Sequence, residues 1–112
     1  MASVDELWLI DFGEPHPGEP AFGHPVLVLG PPNIFGSDFP LVIVVPLTTT
    51  WRGLSLHVEV EADESNGLDD TSYVQCELLR SVHRHRLVHR LGTLSGDVSA
   101  QVDSIVRVLL NH

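Results

Sequence analysis

Short apolar runs, separated by segments rich in proline and glycine, are the feature that most constrains how this chain can fold. The strongest run, LVIVVPL at 41–47, is rich in β-branched residues and too short for a stable helix, so it predicts a strand. Pro46 near its end predicts a bulge or a sheet edge. Segments 13–25 and 31–40 hold many of the prolines and glycines and are predicted loops. Further strands are predicted at 6–12, 25–30, 55–62, 72–79 and 87–94. Alternation in the strand 55–62 predicts that Val58 and Val60 face inward and that His57 faces outward.

Only the segment 95–112 has the residue spacing of a helix. Ser95 is placed to cap its N-terminus, and Asp97 complements the positive end of the helix dipole. One face carries an apolar stripe: Val98, Val102, Ile105, Val106 and Leu109. Several short strands and one helix predict a mostly β (α+β) fold, a small antiparallel barrel with the C-terminal helix packed on it. The length of 112 residues predicts a single domain over 1–112.

The net charge of the chain argues against binding to nucleic acid, but the local distribution of charge permits it. Fifteen acidic residues against six basic ones give a net charge of −9, and a chain this acidic repels nucleic acid. Four of the six arginines and three histidines nevertheless fall within 80–90. This stretch is either a solvated basic face, a phosphate-contacting patch or a metal site. The arginines oppose a bound cation, and zinc requires three or four convergent ligands, so a solvated face is favoured.

Two sequence features indicate in which cellular compartment the protein is expected: its single cysteine and the lack of long apolar segments. Cys76 cannot form an internal disulfide, which fits a reducing cytosol, and its place in an apolar run predicts a small core residue. No apolar stretch is long enough to cross a bilayer, and the N-terminal residues lack the pattern of a signal peptide. We therefore expect a cytoplasmic protein without a membrane partner.

Polar side chains at two predicted strand ends form a candidate site. Glu19 and His24 lie in the first loop, and Thr48 with Thr49 follows the third strand. Strand ends at the same rim of a small barrel can bring such residues together. Trp51 follows in the next loop, where it either stacks on a base or covers the end of the barrel. The residues alone leave both roles of Trp51 open.

The order of short motifs resembles that of the MazF/PemK toxins, the mRNA interferases of type II toxin–antitoxin systems. The resemblance covers nearly the whole chain. The matching segments are Asp5-Glu6-Leu7-Trp8, Gly18-Glu19, Gly23-His24-Pro25-Val26-Leu27-Val28, Pro46-Leu47-Thr48-Thr49, His57-Val58-Glu59-Val60, Glu77-Leu78-Leu79-Arg80-Ser81-Val82, Arg86-Leu87 and Leu91-Gly92.

This resemblance implies a fold, an activity and partners. The fold would be an SH3-like barrel with a C-terminal helix, assembled as a homodimer. The activity would be cleavage of single-stranded mRNA at short sequence motifs without a metal or any other cofactor. The ribose 2′-hydroxyl would attack the adjacent phosphorus, leaving a 2′,3′-cyclic phosphate and a 5′-hydroxyl. A cognate antitoxin would block this activity.

The resemblance also assigns roles to individual residues. Thr48 takes the place of the family's catalytic threonine, whereas His24 stands where the family has its catalytic arginine. Arginine is always protonated and clamps phosphate, whereas histidine can give or take a proton near neutral pH. His24 therefore either carries proton transfer or marks a catalytically impaired relative that binds an antitoxin or another protein, as CcdB-type toxins bind gyrase. Contacts to RNA are expected at five further residues: Glu19, Thr49, Trp51, Glu77 and Arg80.

Overall fold

Seven strands and one helix make up the regular structure of the residues described. The computed structural model describes residues 2–11, 24–32 and 38–112. The elements are β1 (Glu6–Ile10), β2 (His24–Gly30), β3 (Leu41–Thr48), β4 (His57–Val60), β5 (Ser72–Gln75), β6 (Arg80–His83), β7 (Leu87–Thr93) and α1 (Gly96–Leu109), with short 3-10 turns at Cys76–Leu78 and Arg84–Arg86.

Strand β3 is the centre of an antiparallel sheet ordered β4-β5-β3-β2-β1-β7. One edge of β3 pairs with β2, and the other pairs first with β6 and then with β5. Pro46 falls between the β6-paired and β5-paired segments, where a missing N–H is tolerated. The irregularity in the β2–β3 ladder lies instead between Val28 and Gly30. Of the two predicted alternatives for Pro46, the bulge is therefore wrong. Pro46 lies instead at a gap in the pairing of one edge of β3, where the partner strand changes from β6 to β5.

The sheet curls so that the turn after β4 meets β7, which makes the fold barrel-like. The Thr93 amide donates to the Ser65 carbonyl at 2.8 Å. Two glycines permit this close approach. A Cβ on Gly92 would overlap the Ser65 carbonyl oxygen, and Gly67 has a φ of +69° with its own Cβ position against the Leu91 carbonyl.

The two faces of the sheet carry separate apolar clusters. Leu27 of β2 faces the cluster that includes Val102 and Val106 of α1, whereas Val26 and Val28 face the cluster on the other side. All three β2 side chains are buried, as the continuous apolar run predicts. Burial on both faces holds β2 rigidly, and its first residue is His24.

The structure of α1 confirms the predicted N-cap and most of the predicted apolar stripe. The Ser95 hydroxyl accepts a hydrogen bond from the Val98 amide at 3.4 Å. Val102 and Val106 are buried, but Leu109 is 41% exposed because the helix ends there, so its predicted place in the core is wrong. Within the described ranges, no helix is long and apolar enough to cross a membrane.

Candidate functional site

A cleft of about 480 Å3 lies where β2 begins, β3 ends and β5 leads into β6. Val26 pairs with Pro46, and continuing this antiparallel register by two residues on each strand brings His24 beside Thr48. The cleft is lined by His24, Pro46, Leu47, Thr48, Arg52, Gln75, Leu78 and Arg80. Three residues predicted from the sequence, His24, Thr48 and Arg80, therefore share one cleft.

The Thr48 hydroxyl is held by the backbone that follows it. Its Oγ1 accepts a hydrogen bond from the Thr50 amide at 3.2 Å. A hydroxyl that accepts in this way keeps its own hydrogen for donation. Thr48 can therefore donate a hydrogen bond to a bound group from a fixed position on the cleft wall.

The cleft is locally cationic although the chain is strongly acidic. Arg52 and Arg80 line it, and the described lining residues include no aspartate or glutamate. This contrasts with the net charge of −9 over the whole chain. Two guanidinium groups in a concave site favour an anionic ligand such as phosphate.

The other arginines of the 80–90 stretch support the fold. The Arg84 guanidinium donates to the carbonyl oxygens of Phe39 and Ala2 at 3.0 and 3.2 Å. Arg86 donates to the Asp11 carbonyl at 3.2 Å, and Arg90 lies 2.7 Å from a carboxylate oxygen of Glu6. The stretch therefore does not form one solvated basic face. These guanidiniums satisfy carbonyls and a carboxylate that are distant in sequence.

The Glu6 carboxylate has a perturbed proton affinity. Partial burial raises its pKa, but hydrogen bonds from Arg90, the Ser3 amide and the Trp8 indole outweigh burial, and the net pKa lies below its ordinary value of 4.5. The contact with Arg90 ties β1 to β7 at the surface.

Two of the three histidines of the stretch, His83 and His85, pack on each other. The rings of His83 and His85 lie 5.1 Å apart between centroids. Across the ranges that the structure describes, no three metal-ligating side chains converge.

His57 is buried, and its predicted outward orientation is wrong. Its side chain is 3% exposed, and its Nε2 lies 2.9 Å from an oxygen of Glu77. The buried Nδ1 has no hydrogen-bond partner among the described residues. Glu77 lies on the 3-10 turn that replaces the end of the predicted strand 72–79, and this turn folds the carboxylate over His57. Strand alternation alone could not show this pairing.

The Cys76 thiol confirms the prediction of a small core residue. It belongs to the cluster beneath α1. Burial and the neighbouring Glu77 charge raise the pKa of the thiol to about 11. The thiol is therefore protonated at neutral pH and a poor nucleophile.

The remaining predicted site residues have different placements. Thr49 and Trp51 are exposed on the segment that follows β3, and Glu77 pairs with His57 next to the cleft rather than lining it. Glu19 lies outside the described residues. Three residues of the cleft lining were not predicted from the sequence: Arg52, Gln75 and Leu78. The sequence signal for Arg52 is that it is the only arginine in the loop after β3, four residues beyond Thr48.

Comparisons with known proteins identify the family and the fold. The profile of the family described as "PemK-like, MazF-like toxin of type II toxin-antitoxin system" matches residues 4–110. An Mtb toxin of known crystal structure is 30% identical, with a TM-score of 0.67, and the match covers 75% of this chain and 89% of that one.

Two further structures share the fold at lower identity. MazF from Deinococcus radiodurans is 24% identical with a TM-score of 0.78, covering 99% of this chain and 97% of its own. An endoribonuclease from Mycobacterial species, solved with its cognate antitoxin, is 19% identical with a TM-score of 0.79, covering 99% and 96%. These likenesses confirm the predicted fold.

Proposed function

The chain belongs to the family of PemK-like, MazF-like toxins of type II toxin–antitoxin systems, and we propose that it is an endoribonuclease that cleaves single-stranded mRNA in the cleft. The observation that carries this proposal is the lining of the cleft. A histidine, a threonine hydroxyl and two arginines meet there on a chain that is otherwise strongly acidic. RNA suits this combination of side chains, because it is a polyanion with a reactive 2′-hydroxyl beside each phosphate.

The proposed reaction uses the RNA's own nucleophile. The ribose 2′-oxygen forms a bond to the adjacent phosphorus, and the bond from phosphorus to the 5′-oxygen breaks. The 2′-hydroxyl loses a proton and the 5′-oxygen gains one, so the products are a 2′,3′-cyclic phosphate and a 5′-hydroxyl. The step consumes no water and needs no metal or cofactor to balance.

The residues of the cleft take separate roles in this reaction. Neutral His24 accepts the proton of the 2′-hydroxyl, or charged His24 donates to the 5′-oxygen or holds the phosphate. The Thr48 hydroxyl donates to a non-bridging phosphate oxygen. Arg52 and Arg80 stabilise the negative charge that grows on the phosphate in the transition state. Thr49, Glu77 and Glu19 remain predicted RNA contacts.

We further propose two protein partners, a cognate antitoxin and a second copy of the chain. The mycobacterial structure described above holds an endoribonuclease with its cognate antitoxin, and the D. radiodurans toxin has also been solved as a MazE–MazF complex. Support for the homodimer comes from Phe39, Leu41 and Ile43, which are exposed around an apolar hollow of about 280 Å3. Light scattering of the purified protein should give twice the monomer mass of 12.3 kDa.

Cleavage of a long single-stranded RNA in the presence of EDTA tests the proposed activity. The products should carry 2′,3′-cyclic phosphate and 5′-hydroxyl ends. His24→Ala should lower the rate on the order of 100-fold or more, because it removes a proton-transfer group. It should also remove a limb of the pH–rate profile, because the variant no longer carries a group that can transfer a proton at this position. His89→Ala, at an exposed histidine outside the cleft lining, is the matched control and should cleave normally.

The position at which the family has its catalytic arginine separates the proposed nuclease from a second candidate function. His24 stands at that position, which favours either altered proton transfer or a binding protein without nuclease activity. His24→Arg should retain substantial activity and flatten the pH limb. If the wild type cleaves nothing while His24→Arg cleaves RNA, the chain is a binding protein. If His24→Ala cleaves as fast as the wild type, His24 has no catalytic role.

A further inference from the structure

Trp51 is unusually exposed for a tryptophan. The residue is 72% exposed, although large aromatic residues generally bury most of their surface. One alternative from the sequence was that Trp51 covers the end of the barrel, and this exposure excludes it. The ring therefore contributes little to the core, and its exposure requires another explanation.

The Trp51 ring packs against the backbone of Gly53. Gly53 has a φ of +65°, and a Cβ at this position would lie 3.3 Å from the indole atoms Cζ2 and Cη2. One side of the ring thus runs along the Gly53 backbone. The preceding turn is fixed by the Thr50 amide, which donates to the Thr48 hydroxyl at 3.2 Å. A ring positioned before binding loses less conformational entropy when a ligand contacts it.

The place of Trp51 in the sequence puts it next to residues that line the cleft. Thr48 and Arg52 both line the cleft, and Trp51 lies between them in sequence. A phosphate beside Arg52 carries its ribose and base into the surrounding space. An exposed indole next to a phosphate-binding guanidinium is the combination with which proteins hold single-stranded nucleic acids.

We propose that Trp51 is a stacking platform for one unpaired base of the RNA next to the cleaved phosphate. This inference rests on the proposed function and extends it with a base subsite. The indole contributes stacking affinity, which every base can supply, rather than hydrogen-bonded discrimination between bases. The cationic cleft beside it favours a nucleic acid over a protein segment as the occupant.

Tryptophan fluorescence can report this contact directly. The probe is a short 2′-O-methyl RNA that spans a cleavage position mapped with the wild-type protein, because the blocked 2′-oxygen prevents cleavage. The chain has two tryptophans, and the other, Trp8, is partly buried and donates to Glu6 at 3.1 Å. Titration should quench the wild-type fluorescence. Trp51→Leu should abolish the quenching and weaken binding about 5- to 150-fold, the range measured for loss of one base stack.

Two further variants separate stacking from a general effect of the loop. Trp51→Phe keeps an aromatic face and should retain most of the affinity. Leu54→Ala truncates a residue of the same loop that is 47% exposed and leaves every aromatic ring in place. The RNA affinity of this variant should match that of the wild type. In a series of probes with one abasic position each, a single position should reproduce the loss, and Trp51→Leu should add nothing to it.

The outcomes distinguish this inference from the proposed function. If Trp51→Leu binds and cleaves RNA like the wild type, the stacking platform is wrong and the nuclease assignment stands. If Trp51→Leu keeps RNA affinity but loses the antitoxin, the ring is a protein contact and the inference is also wrong. If wild-type protein neither binds nor cleaves any RNA, the proposed function and the platform fail together.

Discussion

The dependence of RNA binding on salt should report the two arginines of the cleft. Each cationic contact to a phosphate of single-stranded nucleic acid releases counterions and contributes about −0.7 to the slope of log K against log salt. Arg52 and Arg80 both line the cleft, so the wild-type slope should be about −1.4 for one binding site. Raising the salt from about 50 to about 200 mM should then lower the affinity about 7-fold.

Arg52→Gln removes one of these contacts. The slope should become shallower, at about −0.7, and the same change of salt should then lower the affinity only about 2.6-fold. Fluorescence anisotropy of a labelled 2′-O-methyl RNA measures both values without cleavage.

Arg107→Gln is the matched control because it makes the same change in net charge outside the cleft. Arg107 lies on α1 and pairs with Asp103 at 2.9 Å. Its variant should keep the wild-type slope. An unchanged slope in Arg52→Gln, or an equal decrease in Arg107→Gln, would show that the cleft is not where phosphate is bound.

Three further predictions concern stability and reactivity. Gly92→Ala should lower the free energy of unfolding in urea by at least about 1–3 kcal/mol, because its Cβ overlaps backbone of the turn after β4; Gly96→Ala, with no atom within 4 Å, should raise it by about 0.4–1 kcal/mol, and equal effects would contradict the packing. Cys76 should resist iodoacetamide at pH 8 in the native protein and react once urea unfolds it, because burial raises its pKa to about 11; rapid native labelling would contradict this. The pKa of Glu6 is lowered in the fold, so its stabilising contribution is present above its ordinary value of 4.5 and is lost as the pH falls through the folded pKa. Glu6→Gln should therefore lose less stability between pH 7 and pH 3 than the wild type, whereas exposed Glu61→Gln should behave like the wild type.

Local pattern was sufficient to predict six of the seven described strands, the capped helix and the fold class, but it did not predict β6. Each of these depends on residues close together in sequence, such as the apolar run of β3 or Ser95 three residues before Val98. The predicted ends of β2 and β3 also suggested that His24 and Thr48 lie at one rim of the barrel. The register that sets them side by side comes from the tertiary structure. Their chemical roles stay predictions.

The partners of polar side chains were decided by the tertiary structure. His57 was predicted to face solvent because it alternates with buried valines, yet Glu77, twenty residues later, folds over it. Arg90 pairs with Glu6 across 84 residues, which removes it from the basic face that its neighbours in sequence suggested. Whether Trp51 covers the barrel or faces solvent likewise depended on the path of the chain after β3. Alternation predicts which side of a strand a residue faces, but which distant segment then covers that side depends on chain closure over long separations.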